Sequence, residues 1–151
     1  MKGKAFLLNA IYNVAVLLFL IMPQLFTVLY AGNSQQNDMF QAADKKNGKK
    51  IAKGCTSCHD LHQGGKKKLA PNLFGIVGRQ IAYDRKFSYS NAMLRLRGKI
   101  WTINRLYNWI RSPSTHIPGT MMKLGGEMYG QKAIIHPQDR MDLIAYLNSL
   151  K

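Results

Sequence analysis

The chain has 151 residues and a formal net charge of +15, from 22 lysines and arginines against 7 aspartates and glutamates. That length leaves room for one ordinary domain plus an appendage. The charge favours a negative partner, whether nucleic acid, anionic lipid or an acidic protein face. With only two cysteines, Cys55 and Cys58, three positions apart, a fold held together by disulfides is excluded.

Lys2 and Lys4 precede an uncharged stretch, 5–37, whose first part to Ala31 is mostly aliphatic and aromatic. It is long enough for the ~20 apolar residues a membrane span needs, although Pro23 and Gln24 interrupt it. Lysines ahead of it and none directly behind place the N-terminus inside and the following domain outside. Residues 1–31 are therefore expected to be an uncleaved membrane anchor, with a removed signal peptide as the alternative. The polar residues 32–43 read as a linker.

From Asp44 the pattern is globular, and four helical pieces are predicted. The first runs from Asp44 to about Cys55, is lysine-rich and has Gly48 in its middle. Ser90 caps a short helix through Met93 and Leu96. Thr102 caps a helix from Ile103 to Arg111, in which Leu106, Trp109 and Ile110 form one face before Pro113 ends it. Pro137 opens the last, with Met141, Ile144 and Leu147 on one stripe flanked by Leu143 and Leu150. No window alternates with period two, so the fold class is all-α. So much loop between so few helices points to a domain organised around something other than its own side chains, and a large apolar cofactor supplies such a core.

Cys55-Thr56-Ser57-Cys58-His59 fits the C-x-x-C-H pattern of covalent haem attachment. Two thiols at that spacing reach the two vinyl groups on adjacent edges of the porphyrin, and the histidine that follows lies beneath the iron. A zinc site needs four ligands, and His62, His116 and His136 form no second pair of suitable spacing. A thioredoxin-like thiol pair calls for strands that the chain lacks. A second axial ligand is wanted, and Pro118-Gly119-Thr120-Met121-Met122 offers a methionine in a constrained loop, although such a methionine taken alone is more often a packing residue than a ligand.

Residues 44–151 resemble a class I cytochrome c, of the mitochondrial type and its bacterial relatives. The resemblance is carried in order by Gly48-Lys49-Lys50, Cys55 to His59, Gly64-Gly65-Lys66, Ala70-Pro71-Asn72-Leu73-Phe74-Gly75, Gly78-Arg79, Phe87 to Ala92, Trp101, Ile117 to Met122 and Asp142 to Leu147. It implies a small helical fold around one haem c, joined through Cys55 and Cys58, with His59 and Met122 as iron ligands. Met121 is the neighbouring alternative to Met122. The resemblance further implies that the Pro71 carbonyl orients His59. Arg79, Tyr89, Trp101 and Thr120 would hold the haem propionates, and Gly48 would sit where the first and last helices cross, against Tyr146.

This sequence also departs from the family. Ala52 replaces an aromatic residue, which is expected to loosen the helix crossing unless Ile51 compensates. Trp109 lies beneath the methionine loop where mitochondrial forms have tyrosine, and an indole donates but does not accept hydrogen bonds. Basic positions near the haem edge have become Ser114 and Met121, and residues 125–135 form a longer connection than usual.

The function implied is that of a single-electron carrier, not an enzyme, passing electrons between a cytochrome bc complex and a terminal oxidase. It would work as a monomer on the outer, periplasmic side of the membrane, held there by its N-terminal segment or soluble if that segment is cleaved. Lysines 45, 46, 49, 50, 53, 66, 67 and 68 are candidates to steer the haem edge towards acidic docking faces. The alternative is a haem enzyme, or an electron-entry subunit, with an open distal site. Nucleic acid is not an expected partner, because no aromatic-interleaved basic stripe is present.

Overall fold

The structure is a computed structural model that describes residues 12–13, 16–18, 20–22, 34–66, 68–122, 134 and 136–151. The chain divides into two compact units, Met1–Asp38 and Met39–Lys151. Most of the expected anchor lies outside the described residues. Among the described residues no helix is long and apolar enough to cross a membrane.

Within the second unit, α1 (Lys45–Ala52) begins where Asp44 accepts hydrogen bonds from the backbone N–H groups of Lys46 and Asn47 at 2.7 and 3.2 Å. Those are two of the donors that an α-helix leaves unpaired at its start. A 3-10 helix, Lys53–Ser57, carries the chain on into the cysteine motif. Three helices follow at the expected places. Ser90 caps α2 (Asn91–Leu94) by accepting from Met93 N–H, and Thr102 caps α3 (Ile103–Arg111) by accepting from Arg105 N–H. The last, α5 (Pro137–Ser149), starts on Pro137, whose missing N–H costs nothing there. Sequence reading missed α4 (Pro113–His116), a single turn directly after α3. Pro113 ends one helix and occupies the first turn of the next.

Among the described residues β pairing is limited to one antiparallel bridge, Gln80 to Ile100, consistent with an all-α domain. Residues 34–41, most of the expected linker, are helical. Met39 and Phe40 pack against the core, and the Met39 carbonyl accepts from Gln138 Nε2 at 3.1 Å. Burial of those two apolar side chains gives this otherwise polar stretch a fixed end.

The helix pair α1 and α5 forms the frame of the unit. α5 is buried well beyond the expected stripe, since Arg140, Asp142 and Ala145 are enclosed along with Met141, Leu143, Ile144 and Leu147. Arg140 is accommodated by stacking over the Tyr107 ring at 4.3 Å and by donating to the Ile134 carbonyl at 2.9 Å. Asp142 is only 4% exposed and accepts from Asp44 N–H, Asn47 Nδ2 and Gln138 Nε2 at 2.8–3.0 Å. Ala52 is fully buried and Ile51 packs beside it against the core, so the crossing is filled without an aromatic side chain at position 52.

Candidate functional site

A cavity of about 1200 Å³ occupies the middle of the second unit. This is larger than the ~300–1,000 Å³ typical of small-molecule sites. Its walls come from much of the unit: the 3-10 helix and the motif it carries, the loop through Pro71, the loops around Arg79 and Tyr89, α2, α3, the Thr120–Met122 loop and α5. All ten residues singled out from the sequence line it, namely Cys55, Cys58, His59, Pro71, Arg79, Tyr89, Trp101, Trp109, Thr120 and Met122. Ile76, Leu106, Ile110, Leu143 and Leu147 supply much of its apolar wall.

The attachment motif is shaped by its own backbone. Cys58 and His59 N–H both donate to the Cys55 carbonyl, at 3.2 and 2.9 Å, which turns the chain tightly between the two thiols. Both cysteines are free and partly buried. Burial, reinforced by the neighbouring Cys58, pushes the Cys55 thiol up to about 11, so it stays protonated at neutral pH.

His59 Nδ1 lies 2.6 Å from the Pro71 carbonyl. A carbonyl only accepts, so Nδ1 carries the hydrogen and Nε2 presents its lone pair. Burial holds the ring below the ordinary histidine value, although the Pro71 bond opposes this, and the imidazole is accordingly neutral at pH 7. Pro71 is held in turn by its surroundings: Ala70 N–H donates to Cys58 O at 2.9 Å, and Leu73 N–H to Asp60 O at 2.8 Å.

Arg79 is the main cationic group on the wall. Its guanidinium donates to the Phe74 carbonyl at 2.9 Å and the Asn72 carbonyl at 2.5 Å, and lies 4.2 Å from the Tyr83 ring centre. Its Nε is buried without a partner. Such an orphan donor is costly unless an acceptor meets it. Near it, Tyr89 packs edge-on to Phe87, with ring centres 4.7 Å apart. Trp101 and Trp109 are both buried, their rings 5.4 Å apart and tilted by 53°.

The two candidate methionines differ in setting. Met122 is half-buried against the core, and its N–H donates to Thr120 Oγ1 at 3.3 Å. Met121 also lines the cavity but is 59% exposed. Two features escaped the sequence reading. One is the use of the Arg79 fork to tie two loop carbonyls. The other is Leu69, which lines the cavity while standing largely in solvent. Of the expected lysine ring, Lys45, Lys46, Lys49, Lys50, Lys53, Lys66 and Lys68 are exposed, and Lys67 lies outside the described residues.

An all-helical unit with a large apolar cavity, two adjacent thiols, a neutral imidazole and a buried orphan guanidinium nitrogen defines a small covalent-haem protein. Comparison with known proteins gives the family. The sequence pattern of the family described as Cytochrome c matches residues 45–151, and the chain belongs to that family. It is 34% identical over 123 residues to a "Cytochrome c homolog" of Rickettsia prowazekii, covering 82% of this chain and 66% of that protein. A similar "Cytochrome c homolog" of Bradyrhizobium diazoefficiens is 38% identical over 113 residues, covering 74% of this chain and 57% of its own. The chain thus spans about three fifths of the length of those relatives. "Cytochrome c2" of Agrobacterium tumefaciens is 37% identical over 106 residues, covering 69% of this chain and 89% of its own. Among solved structures, "cytochrome cH from Methylobacterium extorquens" superposes with a TM-score of 0.58 at 28% identity, covering 71% of this chain and 99% of that one.

Members of the family are haem-based electron carriers rather than enzymes, with covalently bound haem c. The residues here fit that group: two free thiols for thioether bonds, an imidazole with an available lone pair, an apolar cavity of sufficient size, and an unpartnered guanidinium nitrogen suited to a carboxylate. The haem supplies the one-electron Fe(III)/Fe(II) couple. The protein's own side chains would exclude water from such a group, orient the imidazole and offer a cation to a carboxylate.

Proposed function

We propose that this chain is a single-electron carrier of a respiratory chain, passing electrons from a cytochrome bc complex to a terminal oxidase. In this reading His59 and Met122 ligate the iron, Pro71 orients His59, and Arg79, Tyr89, Trp101 and Thr120 hold the propionates. Trp109 packs beneath the methionine loop. The domain at 44–151 works on the periplasmic side, and residues 1–31 hold it to the membrane.

The observation that carries the reading is the shared cavity, which His59 lines with Nδ1 already committed to Pro71 and which Met122 lines from a half-buried position. A thioether ligand raises the reduction potential, which suits a donor to an oxidase. Support for the membrane attachment comes from the long uncharged N-terminal sequence and its two leading lysines. The exposed lysines on α1 and after the cysteine motif support an acidic partner.

The test is expression of the full chain in a host with cytochrome c maturation machinery, followed by optical spectra of both redox states. Haem that survives acid-acetone extraction, with the weak long-wavelength band of sulfur-ligated ferric iron, is the expected result. Purified bc complex should then reduce the protein, and purified terminal oxidase should reoxidise it. Attached haem without the sulfur band points instead to an open iron and a haem enzyme. No attached haem sinks the reading.

A further inference from the structure

Beside the central cavity lies a smaller one of about 230 Å³, with Gly65, Asn72, Phe74 and Asp84 among its walls. Among the described residues only Arg79 and Tyr83 line both cavities, so these two side chains form the partition between them. They form it as a stack. The Tyr83 ring centre lies 4.2 Å from the guanidinium carbon, a cation held on an aromatic face. Arg79 is tied to the Asn72 and Phe74 carbonyls, and its Nε stays buried without a partner. Tyr83 is 44% exposed, so the stack reaches the surface through the tyrosine.

The backbone brings the ring there under strain. Ile81 and Ala82 are both buried, and Ala82 has φ 52°, in the left-handed region that a residue with a Cβ rarely adopts. Such strain persists only where the surroundings impose it. Here Ile81 N–H donates to the Lys99 carbonyl at 2.8 Å, and the Ala82 carbonyl accepts from Arg97 Nε at 3.2 Å. With both residues pinned, the chain turns at Ala82 and delivers Tyr83 to Arg79. Burial pushes the guanidinium below its ordinary value, with Tyr83 the largest opposing influence. The partition is therefore poor in water, and an unmatched donor there has few competitors for its acceptor.

We propose that Tyr83 is a positioning residue for the one-electron reaction: its ring closes the partition, keeps water off Arg79 and so holds the guanidinium to a haem carboxylate. This rests on the reading of Arg79 as a propionate partner and deepens it. A countered carboxylate favours the ferrous state, which carries one positive charge fewer than the ferric. Without the ring the two cavities join and water competes for Nε. The carboxylate is then less fully countered, which favours the ferric state.

The experiment uses the full-length holoprotein and reads, by optical spectra, the ratio of reduced to oxidised haem at equilibrium with a fixed mediator couple. Variants are Tyr83→Ser, Tyr83→Phe, Arg79→Gln and the double Tyr83→Ser/Arg79→Gln, each first checked for attached haem and an unchanged sulfur-ligation band. Tyr83→Ser is expected to lower the ratio about threefold, on the order given by partly screening one charge at an effective dielectric of about 20. Tyr83→Phe keeps the aromatic face and should keep the parent ratio. In the Arg79→Gln background Tyr83→Ser should change nothing further, because no guanidinium is left to protect. Where Tyr83→Ser fails to accumulate with haem, Tyr83→Gln takes its place with the same expectations.

A parent-like ratio in Tyr83→Ser overturns the proposal and leaves the role of Arg79 standing. An equal fall in both backgrounds overturns it too, since the tyrosine then acts on its own. A Tyr83→Phe protein that falls as far as Tyr83→Ser assigns the effect to the hydroxyl and refutes the role of the ring. If Arg79→Gln keeps the parent ratio, the propionate assignment and the proposal go together, while attached haem with the sulfur band keeps the electron carrier.

Discussion

Gly48 on α1 lies directly against the backbone of Asp142 on α5: a Cβ at position 48 would overlap the Asp142 carbonyl and stand 2.9 Å from Tyr146 Cβ. The two helices cross at a point where only a hydrogen fits. Because the obstruction is backbone, it cannot swing aside as a flexible side chain would.

Gly48→Ala is accordingly expected to destabilise the holoprotein by about 3 kcal/mol, at the upper end for overpacked sites. The same substitution in an open helix would help slightly, since alanine is the better helix former. Thermal unfolding followed by circular dichroism checks the sign. A Gly48→Ala protein as stable as the parent would show that the crossing can shift, contrary to the close approach seen here.

Asp142 ties that crossing together electrostatically. Burial alone would raise its carboxyl, but hydrogen bonds from Asn47, Gln138 and Asp44 N–H, with nearby His136, hold it below the usual carboxylate range. A depressed native value means that the unfolded chain binds the proton more readily. The stabilisation is therefore fully present above about pH 3.9, the unfolded value, and is lost as pH falls through the native value below it. Asp142→Asn should lose on the order of 1–3 kcal/mol at neutral pH, because its amide meets donors with a donor. It should also shed part of the acid-induced unfolding. Equilibrium denaturation at pH 7 and pH 3 measures both effects, and a constant gap between the two proteins would refute the titration argument.

The helix starts were legible because capping is local: Asp44, Ser90, Thr102 and Pro137 each act within a turn of where they stand. The attachment motif was legible for the same reason, its chemistry being written in five consecutive residues. Arg140 and Asp142 illustrate what was not. In sequence they look like the solvent-facing charges of an amphipathic helix, yet their partners are Tyr107 and Ile134 for the one, and Asp44, Asn47 and Gln138 for the other. No periodicity reveals Tyr107 across from Arg140, or Asp44 and Asn47, which lie 98 and 95 residues from Asp142. The helical state of 34–41 was hidden similarly, since its fixed end depends on where Met39 and Phe40 pack.

Arg79 joins structure and site. Two of its nitrogens hold the Asn72 and Phe74 carbonyls, and Nε remains buried and unmatched. Arg79→Gln should lower the reduction potential by tens of millivolts, on the order expected for removing one partly screened positive charge near the iron. Lost loop ties should also lower stability by about 1–2 kcal/mol. Potentiometric titration separates the two effects. A potential that does not fall, in a variant with normal attached haem, would show that the guanidinium is a loop brace and no more.

Met122 and Met121 are adjacent and both reach the cavity, but only Met122 is half-buried against the core, with its N–H held by Thr120. A ligand held in one position by packing loses less freedom on binding than one that stands mostly in water. Met122→Ala should therefore retain covalent haem, abolish the sulfur band, and admit cyanide or carbon monoxide to the iron. Its potential should drop by on the order of 0.1 V or more, within the ~0.8 V range that axial ligands command. Met121→Ala should leave the band and the potential close to those of the parent. If the two variants exchange these behaviours, the sulfur ligand is Met121 and the exposed loop tip must turn inward when haem is attached. Loss of the band in both would mean that the loop holds either sulfur in place only when the two methionines pack together.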